Sequence, residues 1–90
     1  MNILIVGKFE SIYMYQYVKE VLMSDDFDRG KKFYFFHSGQ EHIKEEYMNL
    51  YESVAEKIYY ETPYRRMNYA LAKAIKEVGN VDVLHVHYIK

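Results

Sequence analysis

The chain has 90 residues, 12 Lys and Arg against 13 Asp and Glu, a formal net charge of -1, and no cysteine. Near-zero, interspersed charge leaves no footprint for a polyanion, so nucleic acid is not an expected partner. The lack of cysteine removes disulfides, thiolate metal sites and cysteine nucleophiles together, and fits a reducing compartment, with the cytoplasm as default.

A chain this short makes one domain at most and buries only about 60–70% of its unfolded surface. Half of its residues are apolar, which argues for a packed interior over disorder. The unbroken run Ile3, Leu4, Ile5, Val6 has no basic flank before it and is too short for a signal-peptide core, so it reads as a strand covered on both faces and ending at Gly7.

After the loop Lys8, Phe9, Glu10, with Lys8 and Glu10 expected to be solvated, Met14, Tyr17, Val18, Val21 and Leu22 recur at helical spacing. Ser11 is the expected N-cap of this helix, which should end near Ser24. Asp25 to Gly30 is a polar loop whose Asp25, Asp26 and Asp28 lack the bidentate glutamate of a calcium loop. Lys32 to His37 reads as a second strand through its aromatic run.

Ser38, Gly39, Gln40, Glu41 has the form of a capping box. Ile43, Tyr47, Leu50, Tyr51, Val54 and Ile58 follow on one helical stripe, with Tyr47 and Tyr51 expected in the core. Thr62 and Pro63 form an N-cap and N1 pair for another helix through Met67, Ala70, Leu71, Ala74, Ile75 and Val78, stopped by Gly79 and Asn80. Arg65 and Arg66 at its start offer contact with anionic lipid or phosphate, or are an ordinary exposed helix start. Val81 to Ile89 then reads as the third strand.

The expected fold is therefore α/β: a partial Rossmann-like three-layer unit, residues 1–90, with a parallel sheet of about three strands and helices on both faces. If the first strand is central, right-handed crossovers give strand order 2-1-3 and put the first and last helices on opposite faces. The gap between the first and third strands is then a topological switch point, where open α/β sheets bind ligands. Gly7, Lys8, His87 and Tyr88 would border that crevice.

The main chemical feature is Asp82-Val-Leu-His85-Val-His87-Tyr88, since residues two apart on a strand share a face. A histidine at a strand's carboxyl end can donate to a sugar hydroxyl and titrates near neutral pH. The plain alternative is a pair of hydrogen-bonded structural histidines. A metal reading would recruit His85 and His87 with His37, yet local spacing fixes no third ligand. Gly7 would let backbone approach a ligand at the amino end of the first helix, although neither the dinucleotide glycine pattern nor a phosphate loop is present.

The opening Met1-Asn-Ile-Leu-Ile-Val-Gly7 and the closing Val81-Asp-Val-Leu-His-Val-His-Tyr88 resemble the amino-terminal domain of GT-B glycosyltransferases of the retaining family four type. In that family the first strand ends in a glycine-containing acceptor loop, and a later strand reads D-[VI]-[LIV]-H-x-H, often followed by Tyr or Gly. The family often carries two adjacent glycines after the first strand, where this chain has Gly7-Lys8-Phe9.

The resemblance implies a sugar-nucleotide-dependent retaining transferase of polysaccharide or glycolipid assembly, with His87 in the catalytic position against the transferred sugar. Gly7, Lys8, His85 and Tyr88 would meet the substrate, a sugar or lipid-linked sugar acceptor. The family's nucleotide-sugar donor binds mainly in a second domain carrying an E-x7-E motif, which is not within these residues. The expectation is thus an acceptor-side fragment, without cofactor and inactive alone, cytoplasmic and peripheral to the inner face of the membrane.

Val83, Leu84, Val86 and Ile89 would then be left uncovered, at about 1.5–3 kcal/mol per fully buried apolar side chain. Such an edge would pair with another copy, so a homo-oligomer is expected. The rival from another class is a small stand-alone α/β interaction module in which the two histidines are structural.

Overall fold

The computed structural model describes residues 1–23, 30–38, 42–60 and 67–87. Seven elements follow in chain order: β1 (Asn2–Gly7), α1 (Ile12–Leu22), β2 (Lys32–His37), α2 (Glu45–Val54), β3 (Ala55–Tyr60), α3 (Met67–Val78) and β4 (Val83–Val86). The strands form one sheet in the order β3-β2-β1-β4, and every pairing is parallel. The α/β class stands, and β1 lies between β2 and the histidine strand, as in the expected order.

The sheet has four strands rather than three, because the expected helix through Ile58 stops at Val54. Its last residue is followed directly by extended backbone at Ala55 (ψ 138°), whose N–H still bonds the Tyr51 carbonyl. The helical spacing Val54, Ile58 was misleading for a local reason. Phe33 pairs with Ala55 but Tyr34 pairs with Lys57, which leaves Glu56 as the extra residue of a bulge. Ala55 and Ile58 consequently pack on the same core cluster although three residues apart. Beyond the bulge, Tyr59 turns to the opposite cluster.

The start of α2 also differs from the expected capping box. The helix begins at Glu45 after Lys44, which makes no side-chain cap bond, while Gly39, Gln40 and Glu41 lie outside the described residues. Glu45 and Glu46 in the first turn favour the positive end of the helix dipole in its place. By contrast α1 starts as expected, with Ser11 Oγ accepting from the Tyr13 N–H at 3.2 Å. Helix α3 ends at Gly79, whose φ of 91° disfavours any side chain, and whose N–H caps the Ile75 carbonyl. Thr62, Pro63, Arg65 and Arg66 lie outside the described residues, as do Asp25, Asp26 and Asp28.

Two apolar layers enclose the sheet. Ile5, Phe9, Met14, Val18, Phe33, Phe35, Tyr47, Tyr51 and Val54 form the larger one under α1 and α2. Leu4, Val6, Phe36 and Ala74 form the smaller one under α3. Alternation along β1 and β2 feeds both layers, which is why these strands read as unbroken apolar runs. The Tyr47 and Tyr51 stripe is core as expected, and Tyr15 of α1 stacks on Tyr47 of α2 with ring centroids 4.2 Å apart.

Of the expected strand Val81 to Ile89, the described residues place Val83–Val86 in β4 and leave Val81 and Asp82 before it, while Tyr88 and Ile89 lie outside the described residues. The entry of β4 is tied to β1: the Asn2 N–H donates to Asp82 Oδ2 at 2.7 Å, and the Asn2 side-chain amide donates to the Asn80 carbonyl at 2.8 Å. Its apolar side chains are uncovered, with Val83 41%, Leu84 48% and Val86 53% exposed.

Candidate functional site at the carboxyl ends of the strands

In register, Ile5 lies beside His85 and Gly7 beside His37, so the histidines of β2 and β4 share the α1 and α2 face of the sheet with Gly7. The His87 N–H continues the ladder to the Val6 carbonyl at 2.8 Å. A Cβ placed on Gly7 would lie 3.1 Å from the His87 Cβ and 2.8 Å from Met14 Sδ. The glycine turn and the second histidine are therefore brought close together, as the strand order implies, and only the missing side chain leaves room for the Met14 thioether beside Gly7.

Beside this contact opens a pocket of about 320 Å³, bordered by Lys8, Ser11, Tyr13, Met14 and His87. It sits at the amino end of α1 and beyond the carboxyl ends of β1 and β4, the place where open parallel sheets receive ligands. Lys8 and His87 both border it. Tyr88 lies outside the described residues.

His85 does not border this pocket; it supports His87 from within the strand. The two imidazole centroids are 4.5 Å apart, and Tyr17 of α1 lies flat on His85, 4.7 Å away with planes 4° apart. The edge of the same tyrosine meets His87 at 4.7 Å. Burial, then the neighbouring His85, pushes His87 below the ordinary histidine value. His87 Nε2 is shielded from solvent and has no hydrogen-bond partner. Tyr17 was legible only as one position of the apolar helix stripe, because its pairing with the histidines depends on how α1 crosses β4.

A second polar group lies on the other side of Gly7. His37 is only 3% exposed, and its Nδ1 accepts from the Phe9 N–H at 3.1 Å. In the neutral ring the proton is then on Nε2, which faces Glu10 Oε2 at 3.8 Å. A protonated Nε2 has no lone pair for a metal, so His37 does not complete a set with His85 and His87. Among the described residues no group of three or more His, Cys, Asp or Glu side chains could hold a metal ion.

Glu10, read from sequence as a solvated loop residue, instead tucks both carboxylate oxygens out of solvent without a hydrogen-bond partner. Phe9 is the cause. Its ring is fully buried against Phe35, His37 and Tyr51, and the Tyr51 hydroxyl donates to its carbonyl at 2.8 Å, which draws the whole loop inward.

No helix among the described residues is long and apolar enough to cross a membrane. No family model, curated protein or solved structure matches the chain, so the assignment of a function rests on this site.

Proposed function

We propose that this chain is the acceptor-side unit of a sugar-nucleotide-dependent retaining glycosyltransferase, acting in polysaccharide or glycolipid assembly. The observation that carries the reading is the close approach of Gly7 to His87, which itself borders an open pocket at the switch point. A sugar or lipid-linked sugar acceptor would lie beside Gly7 and Lys8, with His87 directed at the reacting sugar. The donor nucleotide sugar belongs to a second domain, and without it the unit binds but does not transfer. Placement in the cytoplasm at the inner membrane face, and pairing of copies through the β4 edge, belong to the same proposal.

The test is a heteronuclear NMR titration of the chain with glucose, mannose, galactose, N-acetylglucosamine and glucuronic acid at millimolar concentration. Response of the Gly7, Lys8 and His87 resonances to at least one sugar, lost in His87→Ala, supports the reading. Silence of those resonances to every sugar, or an unchanged response in the variant, removes it.

One observation favours the second reading, an interaction module with structural histidines. His85 is held flat on Tyr17 and does not line the pocket that His87 borders, as a packing residue would be. Response to no sugar, with full loss of stability in His85→Ala, is the outcome that selects it.

A further inference from the structure

Tyr17, His85 and His87 form a closed triangle of rings, each in contact with the other two: Tyr17 to His85 at 4.7 Å, Tyr17 to His87 at 4.7 Å and His85 to His87 at 4.5 Å. Contact with the other two rings restrains each of the three, since turning one changes its packing on both neighbours. Two imidazolium charges at that separation repel strongly.

The groups around the pair make the repulsion harder to relieve. Lys8 and Tyr13 face His87 across the pocket, and Tyr17 faces both rings from α1. From β1 the neighbours are Ile5 and Gly7, which carry no charge. Among the described residues no ion pair joins either imidazole to a carboxylate.

We infer that Tyr17 is a positioning residue that clamps His85 and His87 into one unit able to hold a single positive charge. The inference rests on the assignment of His87 to the ligand and adds the class of ligand that suits it. The lowered pKa of His87 leaves its ring neutral toward the pocket near pH 7. With its Nε2 shielded, a neutral imidazole presents a dipole and not a charge to the pocket, which suits a hydroxyl group. An imidazolium would favour a carboxylate or phosphate instead.

The experiment needs no ligand, so its failure and that of the sugar assignment are distinguishable. Histidine ring resonances are followed against pH by NMR in the wild-type chain and in Tyr17→Phe, Tyr17→Leu and His85→Gln. The expected result is a His87 midpoint below the ordinary histidine value, raised in His85→Gln. Ring-current shifts at both histidines should be kept in Tyr17→Phe and lost in Tyr17→Leu. A His87 midpoint unmoved by His85→Gln overturns the shared charge. Equal ring shifts in Tyr17→Phe and Tyr17→Leu, or their loss in Tyr17→Phe, overturn the clamp. Should Tyr17→Leu fail to fold, retention or loss in Tyr17→Phe together with the His85→Gln midpoint decides the question.

Discussion

Gly7 and His87 touch through the space that a side chain on Gly7 would fill, with 3.1 Å between the position a methyl carbon would take there and the His87 Cβ. Gly7→Ala must therefore displace the flexible Met14 thioether and also push the β4 backbone outward. An overpacking cost of about 1–3 kcal/mol is expected. Urea unfolding measures the cost, and a moved His87 ring resonance reports the displaced strand; an alanine variant as stable as wild type, with that resonance in place, would contradict the contact.

His37 and Glu10 should behave in opposite ways. His37→Ala leaves the Phe9 N–H without its acceptor and opens a hole beside Phe9 and Tyr60, so a loss of about 2–4 kcal/mol is expected. Glu10→Gln removes a charge whose oxygens are shielded and without hydrogen bonds, so stability should be unchanged or higher by up to about 1 kcal/mol. Equilibrium denaturation of the two variants side by side checks both signs.

The depressed His87 value makes stability depend on pH in a stated direction. Burial and the neighbouring His85 disfavour the charged ring in the folded state, so below the unfolded value of 6.5 the unfolded chain takes up the proton first. Stability should fall as pH drops from 6.5 toward the lower folded value, then stop changing on account of this group. His87→Gln should flatten that part of the profile, measured as urea midpoints between about pH 7.5 and pH 5. An identical slope in the variant would show that other groups carry the dependence.

Pairing of copies through the β4 edge, part of the proposed reading, is testable on its own. Val83, Leu84 and Val86 stand uncovered, and one margin of the strand is free of a partner strand among the described residues. Wild-type chain should sediment as a dimer or larger species at micromolar concentration, and Leu84→Lys should return it to monomer by placing a charge on the exposed face. A wild-type monomer at that concentration would exclude the pairing.

The tie between Asn2 and Asp82 sets where β4 begins. Asp82→Ala removes the acceptor of the Asn2 N–H at a solvent-exposed position, so a cost of about 1 kcal/mol is expected. Amide hydrogen exchange should speed up at Val83 to His87 more than in β2, because the anchor acts on the edge strand alone.

Much of this architecture is local and so was open to reading from the residues. Apolar runs marked β1 and β2, Ser11 marked the start of α1, and Gly79 marked the end of α3, since each signal involves only a few neighbouring residues. The central place of β1 was the premise of the expected order, and given it, crossover handedness, a property of the chain's chirality, put α1 and α3 on opposite faces. Strand β3 did not follow, because a bulge at Glu56 spaces Ala55 and Ile58 as a helix would, and only pairing with β2 resolves that ambiguity. The burial of the Glu10 carboxylate, the bond from the Phe9 N–H to His37 Nδ1 and the contact of Tyr17 with His85 and His87 likewise appear only in three dimensions. Each joins residues far apart in sequence, and which ring meets which imidazole depends on helix placement that no local pattern encodes.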